Sequence, residues 1–232
     1  MQEEPAHPDP HSQHPLVVIF YATLLFLGSQ LVGSILVQPL MPYLHSQTLQ
    51  VGCYTLAGLL AAVVLLQFNP GRESFWQATG LKKTAVKNYL LVVPVLFVYA
   101  ALSVTFAALA VKLIPGFNAN QAQDVGLPSS LSGLDSLVAF ISLVILTPLL
   151  EEIIFRGVLF RGLRKRLPFW GSALITSGLF ALAHAQWNVG IDTFVLSLAL
   201  CYLVEKSDSI LPSVMLHASK NFMAFLFLFV IK

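Results

Sequence analysis

The chain has 232 residues, of which 56% are hydrophobic and only 10% are charged. Soluble domains carry roughly 25% charged residues, so this composition excludes a soluble globular domain. The net charge of +2 and the lack of a basic stripe with interleaved aromatic residues exclude nucleic acid as a partner. Membrane lipid is therefore the expected surrounding of most of the chain.

Seven apolar stretches follow one another along the chain, and a span of the bilayer takes ~20 such residues. They cover residues 16–37, 49–68, 89–111, 137–160, 169–187, 189–205 and 210–231. The fifth and sixth are short for a span, so we expect short, tilted helices or a partly re-entrant hairpin there. The predicted fold is an all-α, polytopic transmembrane bundle of about seven spans, within a range of about six to eight.

Residues 1–15 precede the first span and are rich in proline, histidine and acidic residues. They lack the basic stretch of a secretory signal peptide, so we expect a disordered tail rather than a cleaved leader. Residues 16–136 are predicted to form N-terminal transmembrane helices, and residues 137–232 a transmembrane catalytic core. The two cysteines, Cys53 and Cys201, fall inside predicted spans and are expected to be buried apolar residues.

Two connections between predicted spans are basic. The connection between the second and third spans holds Arg72, Lys82, Lys83 and Lys87, and the one after the fourth span holds Arg161, Arg164, Lys165 and Arg166. Lys and Arg accumulate in cytoplasmic loops, and an even number of spans separates the two connections. We therefore predict that both are cytoplasmic, with the N-terminus inside and the C-terminus outside. The predicted location is the cell (inner or plasma) membrane, with multiple passes.

The fourth span contains three ionisable residues between apolar flanks: Glu151, Glu152 and Arg156. A charge in the hydrocarbon core costs at least ~2.5–3.5 kcal/mol, so such residues are functional candidates. Glu152 and Arg156 are four residues apart and can pair on one helix face. Glu151 lies ~100° round the helix, has no such partner and suits a general base. A purely structural ion-pair cluster is the alternative.

Two later spans carry further polar residues. Phe180 and His184 lie in the fifth span, and a tight turn at residues 165–168 would place His184 at the depth of Glu151. His217 and Asn221 share one face of the seventh span, and both side chains can donate hydrogen bonds to an oxyanion. Hydrogen bonds that only hold helices together are the alternative. Lys220 receives no catalytic role, and Asp192 is predicted to begin a helix near the membrane surface.

Glu151-Glu152-x-x-x-Arg156, Phe180-x-x-x-His184 and His217-x-x-x-Asn221 occur in this order. This combination resembles the CAAX protease and bacteriocin-processing (CPBP) family, also called ABI, over roughly residues 137–225. The resemblance implies an all-helical membrane bundle with intramembrane endopeptidase activity on a prenylated or membrane-associated peptide.

The same resemblance implies a role for each matching residue. Glu151 would activate water, His184 would hold or shuttle the proton, and Phe180 would support the site. Arg156 would lock Glu152, while His217 and Asn221 would stabilise the oxyanion. Family members are also labelled metalloproteases, so zinc bound by Glu151, His184 and His217 is a second reading. The metal-free, glutamate-dependent mechanism is favoured.

A non-catalytic membrane protein is the competing hypothesis, either a proton-coupled carrier or a peptide-sequestering immunity or scaffold protein. Transporters also bury Glu and His relays. The His217 and Asn221 donor pair favours the enzyme, because a proton relay has little use for an oxyanion hole. The sequence shows none of the inverted repeats that many carriers contain.

Overall fold

The structure is a computed structural model, and it describes residues 14–68, 74–119, 121, 123–131 and 133–231. The predicted disordered tail up to residue 13 and Arg72 lie outside the described residues. The described part of the chain holds eight helices and no strand. The helices are α1 (Pro15–Val37), α2 (Gln47–Leu65), α3 (Phe75–Thr79), α4 (Val86–Leu113), α5 (Gly133–Arg164), α6 (Phe169–Ala183), α7 (Trp187–Ser207) and α8 (Leu211–Val230).

Six of these helices are long and apolar enough to cross a membrane: α1, α2, α4, α5, α7 and α8. Helix α6 has 15 residues, about 22 Å at ~1.5 Å per residue, and is shorter than the ~30 Å hydrocarbon core. The predicted all-α transmembrane bundle is therefore confirmed, and the short fifth predicted span corresponds to α6. The chain is an integral, multi-pass membrane protein.

The two basic connections lie at the same end of the bundle, called the basic end below. Asp208, which follows α7, forms ion pairs with Lys82 before α4 and with Arg161 at the end of α5. At the same end, Arg164 pairs with Glu205. Partial burial acts to raise the pKa of the Asp208 carboxyl, but hydrogen bonds from Lys82 and Arg161 outweigh it and lower that pKa below its ordinary value.

The polar connection between α4 and α5 is fastened at the opposite end. The Gln186 side chain, in the turn between α6 and α7, exchanges two hydrogen bonds with the backbone of Asp124. Leu127 and Leu131 from the same connection pack on a small apolar cluster with Phe225 of α8. The connection therefore packs against the end of the bundle that is remote from the basic residues.

Helix α5 is the centre of the bundle. Its Ile153, Ile154 and Phe160 are almost completely buried in the largest core cluster, together with Val18 of α1 and Leu59 of α2. The first and second halves of the chain therefore share one core. Cys201 is buried in this cluster as predicted, whereas Cys53 is only half-buried.

Helix α5 contains two π-helical segments, Ile141–Leu146 and Glu152–Phe160, on either side of the α-helical Thr147–Glu151. In a π-helix each N–H bonds to the carbonyl five residues back, and such segments are frequent at functional sites. The first segment ends where the N–H of Thr147 bonds to the carbonyl of Ser142. The next residue is Pro148, which has no N–H, so the Leu143 carbonyl loses its donor at the corresponding position.

Candidate active site

Buried ionisable side chains of α5 and α8 contact one another in series. Arg156 Nη1 donates to Glu152 Oε1 over 2.9 Å, and both side chains are completely buried. This contact confirms the predicted pair four residues apart. His217 Nδ1 of α8 lies 2.9 Å from the same Glu152 oxygen. An ionised carboxylate can only accept, so the hydrogen of His217 lies on Nδ1.

Glu151 completes the cluster from the other side of the imidazole. Its Oε2 lies 3.5 Å from His217 Nε2, just beyond the ~2.7–3.2 Å of an N–H···O hydrogen bond. The Glu151 side chain keeps 17% of its surface exposed, whereas Glu152 has none. The imidazole thus lies between a buried carboxylate that fixes its orientation and a second carboxylate that is accessible to a small molecule such as water.

The ring of Phe180 in α6 joins the remaining site residues. It is completely buried, and its centre lies 4.4 Å from the Arg156 guanidinium carbon. The His184 ring lies 4.7 Å from it and the His217 ring 5.8 Å, both edge to face. Phe180 therefore covers the guanidinium by a cation–π contact and contacts both imidazoles.

His184 lies at the end of α6, where its Nδ1–H donates to the backbone carbonyl of Phe180 over 2.8 Å. This bond leaves Nε2 as the acceptor in a neutral imidazole. The predicted direct meeting of His184 and Glu151 is not seen as a hydrogen bond among the described residues. His184 instead reaches the cluster through the Phe180 ring.

Asn221 lies one turn after His217 in α8, on the same face. Its Nδ2 donates to the Leu143 carbonyl over 2.9 Å, the carbonyl that loses its intrahelical donor because of Pro148. One of the two amide hydrogens of Asn221 therefore satisfies the π-helical segment of α5. The sequence motif singled out Asn221, but its acceptor was not predicted, because π-helical geometry has no simple sequence signal.

A second cluster of polar side chains lies within the spans, and the sequence did not predict it. Asp192 Oδ1 accepts hydrogen bonds from Tyr99 and Ser103 of α4, and Lys220 Nζ of α8 lies 3.5 Å from Asp192 Oδ2. The prediction that Asp192 begins a helix is wrong, because α7 begins at Trp187. Lys220 directly precedes Asn221, so this ion pair ties the helix that carries the site to α7 and α4.

Glu151, His184 and His217, the ligands of the zinc alternative, are not brought together as a ligand set in the part of the chain that the structure describes. Among the described residues, no group of three or more His, Cys, Asp or Glu side chains could hold a metal ion. Both ring nitrogens of His217 face carboxylates, and Nδ1 of His184 faces a carbonyl. The three residues of the zinc alternative, as placed here, therefore do not fit a zinc ion.

The comparison with known families covers this same region. Residues 133–223 match the Rce1-like family, described as type II CAAX prenyl endopeptidase Rce1-like. The resemblance to CAAX proteases is confirmed. The matched segment contains every residue of the cluster described above, together with Asp192 and Lys220. At the level of the family, it supports a membrane protease.

Two similar proteins carry no described activity. An "Uncharacterized 24.3 kDa protein" of Escherichia coli is 33% identical over 98 residues, which are 40% of this chain and 45% of that protein. The UPF0177 protein YxdF of Lactococcus lactis subsp. lactis is 29% identical over 153 residues, 65% of this chain and 74% of that protein. The chain thus spans less than half of the first relative. No solved structure matches the chain.

Proposed function

We propose that this protein is an intramembrane endopeptidase of the CAAX-protease and bacteriocin-processing type. In this proposal Glu151 activates water, and the water hydrolyses a peptide bond of a prenylated or membrane-associated peptide. The observation that carries the proposal is the contact series Arg156–Glu152–His217–Glu151, inside the segment that matches the family. The proposed location is the cell membrane.

The Glu151 carboxylate can both accept and return the proton that hydrolysis requires. Glu151 takes a proton from water while the water oxygen bonds to the carbonyl carbon of the peptide, and the carbonyl electron pair moves to its oxygen. When the tetrahedral intermediate collapses, the C–N bond breaks. The proton held by Glu151 passes to the leaving amine, so the carboxylate is restored after each turnover.

The neighbouring residues receive roles from their contacts. Glu152 and Arg156 orient His217, as a buried acid orients an imidazole in other hydrolases. His217 Nε2 faces Glu151 and is proposed to share the proton that Glu151 takes from water. This role replaces the oxyanion role that the family resemblance implies for His217. Asn221 keeps the oxyanion role through its second amide hydrogen. His184, whose ring contacts Phe180, is proposed to assist in holding the proton.

The test is hydrolysis of a library of prenylated and membrane peptides by protein purified in detergent. We expect wild-type protein to release fragments and Glu151→Gln to lose activity by about 10²–10⁴-fold, the usual contribution of a general base. Asp208→Asn is the matched control, because it removes an exposed carboxylate at the basic end. Equal cleavage by wild type and Glu151→Gln contradicts the proposal. Cleavage that a chelator abolishes and zinc restores contradicts the metal-free form of it.

The second candidate is a proton-coupled carrier. It is favoured by the second ion pair in the spans, Asp192 with Lys220 and the hydroxyls of Tyr99 and Ser103. Proteoliposomes loaded with a pH-sensitive dye distinguish the two functions. A carrier moves protons with its solute through wild-type protein, whereas a peptidase cleaves peptide without acidifying the lumen.

A further inference from the structure

A large apolar groove lies on the side of α6 that faces away from the proposed active site. Helices α4 and α6 each pack on α7, and the groove between them has a volume of about 1470 Å³. Gly178, Ala181 and Leu182 of α6 line one wall, while Phe180, fully buried, points into the core. None of Glu151, Glu152, His184, His217 and Asn221 lines it. Helix α6 therefore separates the groove from the site.

The groove runs along the whole of α6. Trp170 lines it at the start of this helix and Gln186 lines it just beyond the end. Because α6 is shorter than the hydrocarbon core, almost all of the groove lies at the depth of lipid tails. Its walls are almost entirely apolar, and Leu182 keeps 74% of its surface exposed. Water is a poor occupant of such a space, and hydrocarbon chains are a good one.

The basic end of the groove carries groups that suit a lipid phosphate. Lys206 and Tyr202 line this end, with the Lys206 ammonium 5.7 Å from the centre of the Tyr202 ring. Trp170 beside them is 65% exposed. Glu205 also lines the groove, but its carboxylate is paired with Arg164. Lysine, tryptophan and tyrosine are the residues that meet headgroups at the membrane surface.

The size of the groove indicates more than one hydrocarbon chain. Ordinary small-molecule pockets have ~300–1,000 Å³, less than the 1470 Å³ measured here. At ~30 Å³ for a group of the size of water, the groove would hold on the order of 50 such groups. We propose that the groove between α4, α6 and α7 binds one phospholipid of the bilayer, with both acyl chains along α7 and the phosphate at Lys206.

Lipid retention tests the proposal without any need for peptidase activity. Gly178→Trp fills the groove, since an added Cβ at Gly178 meets no atom within 4 Å. Leu24→Trp is the matched control, because Leu24 lies on α1 with 51% of its surface exposed and does not line the groove. Gly190→Leu fills the other wall and serves if Gly178→Trp does not fold. Lys206→Gln removes the phosphate partner.

Each protein is stripped in detergent, offered vesicles of equal parts phosphatidylcholine and phosphatidylglycerol, and weighed by native mass spectrometry. We expect wild type and Leu24→Trp to retain about one phospholipid, and the groove-filling variants to lose it at least about tenfold. Lys206→Gln is expected to retain roughly 10–150-fold less lipid, which corresponds to about 1.5–3 kcal/mol for a lost hydrogen bond to a charged group. Equal retention in all variants overturns the proposal, and so does displacement of the lipid by a prenylated peptide. Failure of peptide cleavage leaves this result unchanged.

Discussion

At the scale of single residues, one oxygen of Glu152 receives both Arg156 and His217. Its other oxygen, Oε2, has no hydrogen-bond partner among the described residues. Pairing makes the burial of these charges tolerable, but a paired charge in a low-dielectric interior adds little stability over apolar side chains. The pair therefore holds the His217 imidazole in place but adds little net stability.

Arg156→Met should destabilise the protein strongly, because it leaves the Glu152 carboxylate buried without its cation. The expected loss is about 3–5 kcal/mol in the free energy of unfolding in mixed detergent micelles. Adding Glu152→Gln should restore part of this loss, since the stranded charge is then removed. A single variant as stable as wild type would show that Arg156 does not compensate Glu152.

The pair Glu152 and Arg156 could be predicted because both residues lie on one helix and their spacing fixes their distance. The contact between Glu151 and His217 could not, because it depends on how α8 is placed against α5. The hydrogen bond from Asn221 to the Leu143 carbonyl could not be predicted either, since it depends on the missing N–H of Pro148 in a π-helical turn. Local spacing thus identified the residues but not all of their partners.

At the scale of elements, the π-helical part of α5 is in close contact with the end of α3. A Cβ added to Gly157 would lie 2.6 Å from the backbone oxygen of Thr79 and 2.9 Å from its Cα. Backbone atoms cannot move aside as a flexible side chain does. The glycine therefore permits α3 to pack beside the helix that carries Glu152 and Arg156.

Gly157→Ala should therefore lower stability by about 1–3 kcal/mol, the usual cost of overpacking. Gly28→Ala in α1 is the control, because its added Cβ would make only an ordinary contact of 3.5 Å with Leu65. The control should be neutral or slightly stabilising, given the higher helix propensity of alanine. Thermal unfolding in detergent measures both, and equal melting temperatures would contradict the close contact.

The helices themselves followed from the hydrophobic pattern. The turn predicted at residues 165–168 lies between Arg164 and Phe169, where α5 ends and α6 begins. The prediction that Asp192 begins a helix failed, because α7 begins five residues earlier at Trp187. Its partners Tyr99, Ser103 and Lys220 lie on two helices far from Asp192 in sequence. No local sequence pattern predicts these contacts.

At the scale of the whole molecule, ion pairs hold the two basic connections together at the basic end of the bundle. Asp208 links the segment before α4 to the end of α5, so two loops far apart in sequence are held together. The distribution of Lys and Arg predicted that these connections lie on one side of the membrane, and the ion pairs place them at the same end. Which compartment this end faces stays a prediction from the sequence.

The Asp208 pairs should make stability depend on pH in the acidic range. Because the pKa of Asp208 is lowered in the folded protein, its contribution is fully present above the unfolded value of ~3.9 and is lost as the pH falls through the folded value. The side chain is 68% exposed, so the effect is at most ~1 kcal/mol. The difference in melting temperature between wild type and Asp208→Asn should be constant at neutral pH and shrink below about pH 4. A difference that grows on acidification would reverse the assigned sign.

A double-mutant cycle on peptide hydrolysis tests whether Glu151 and His217 act together. Turnover is measured for wild type, Glu151→Gln, His217→Gln and the double variant, each shown to be folded by its melting curve. If the two side chains share one proton, each single change should lower the rate by about 10²–10⁴-fold, and the second change should add little. Losses that multiply in the double variant, or a single variant that retains the wild-type rate, would show that the two side chains do not share one proton.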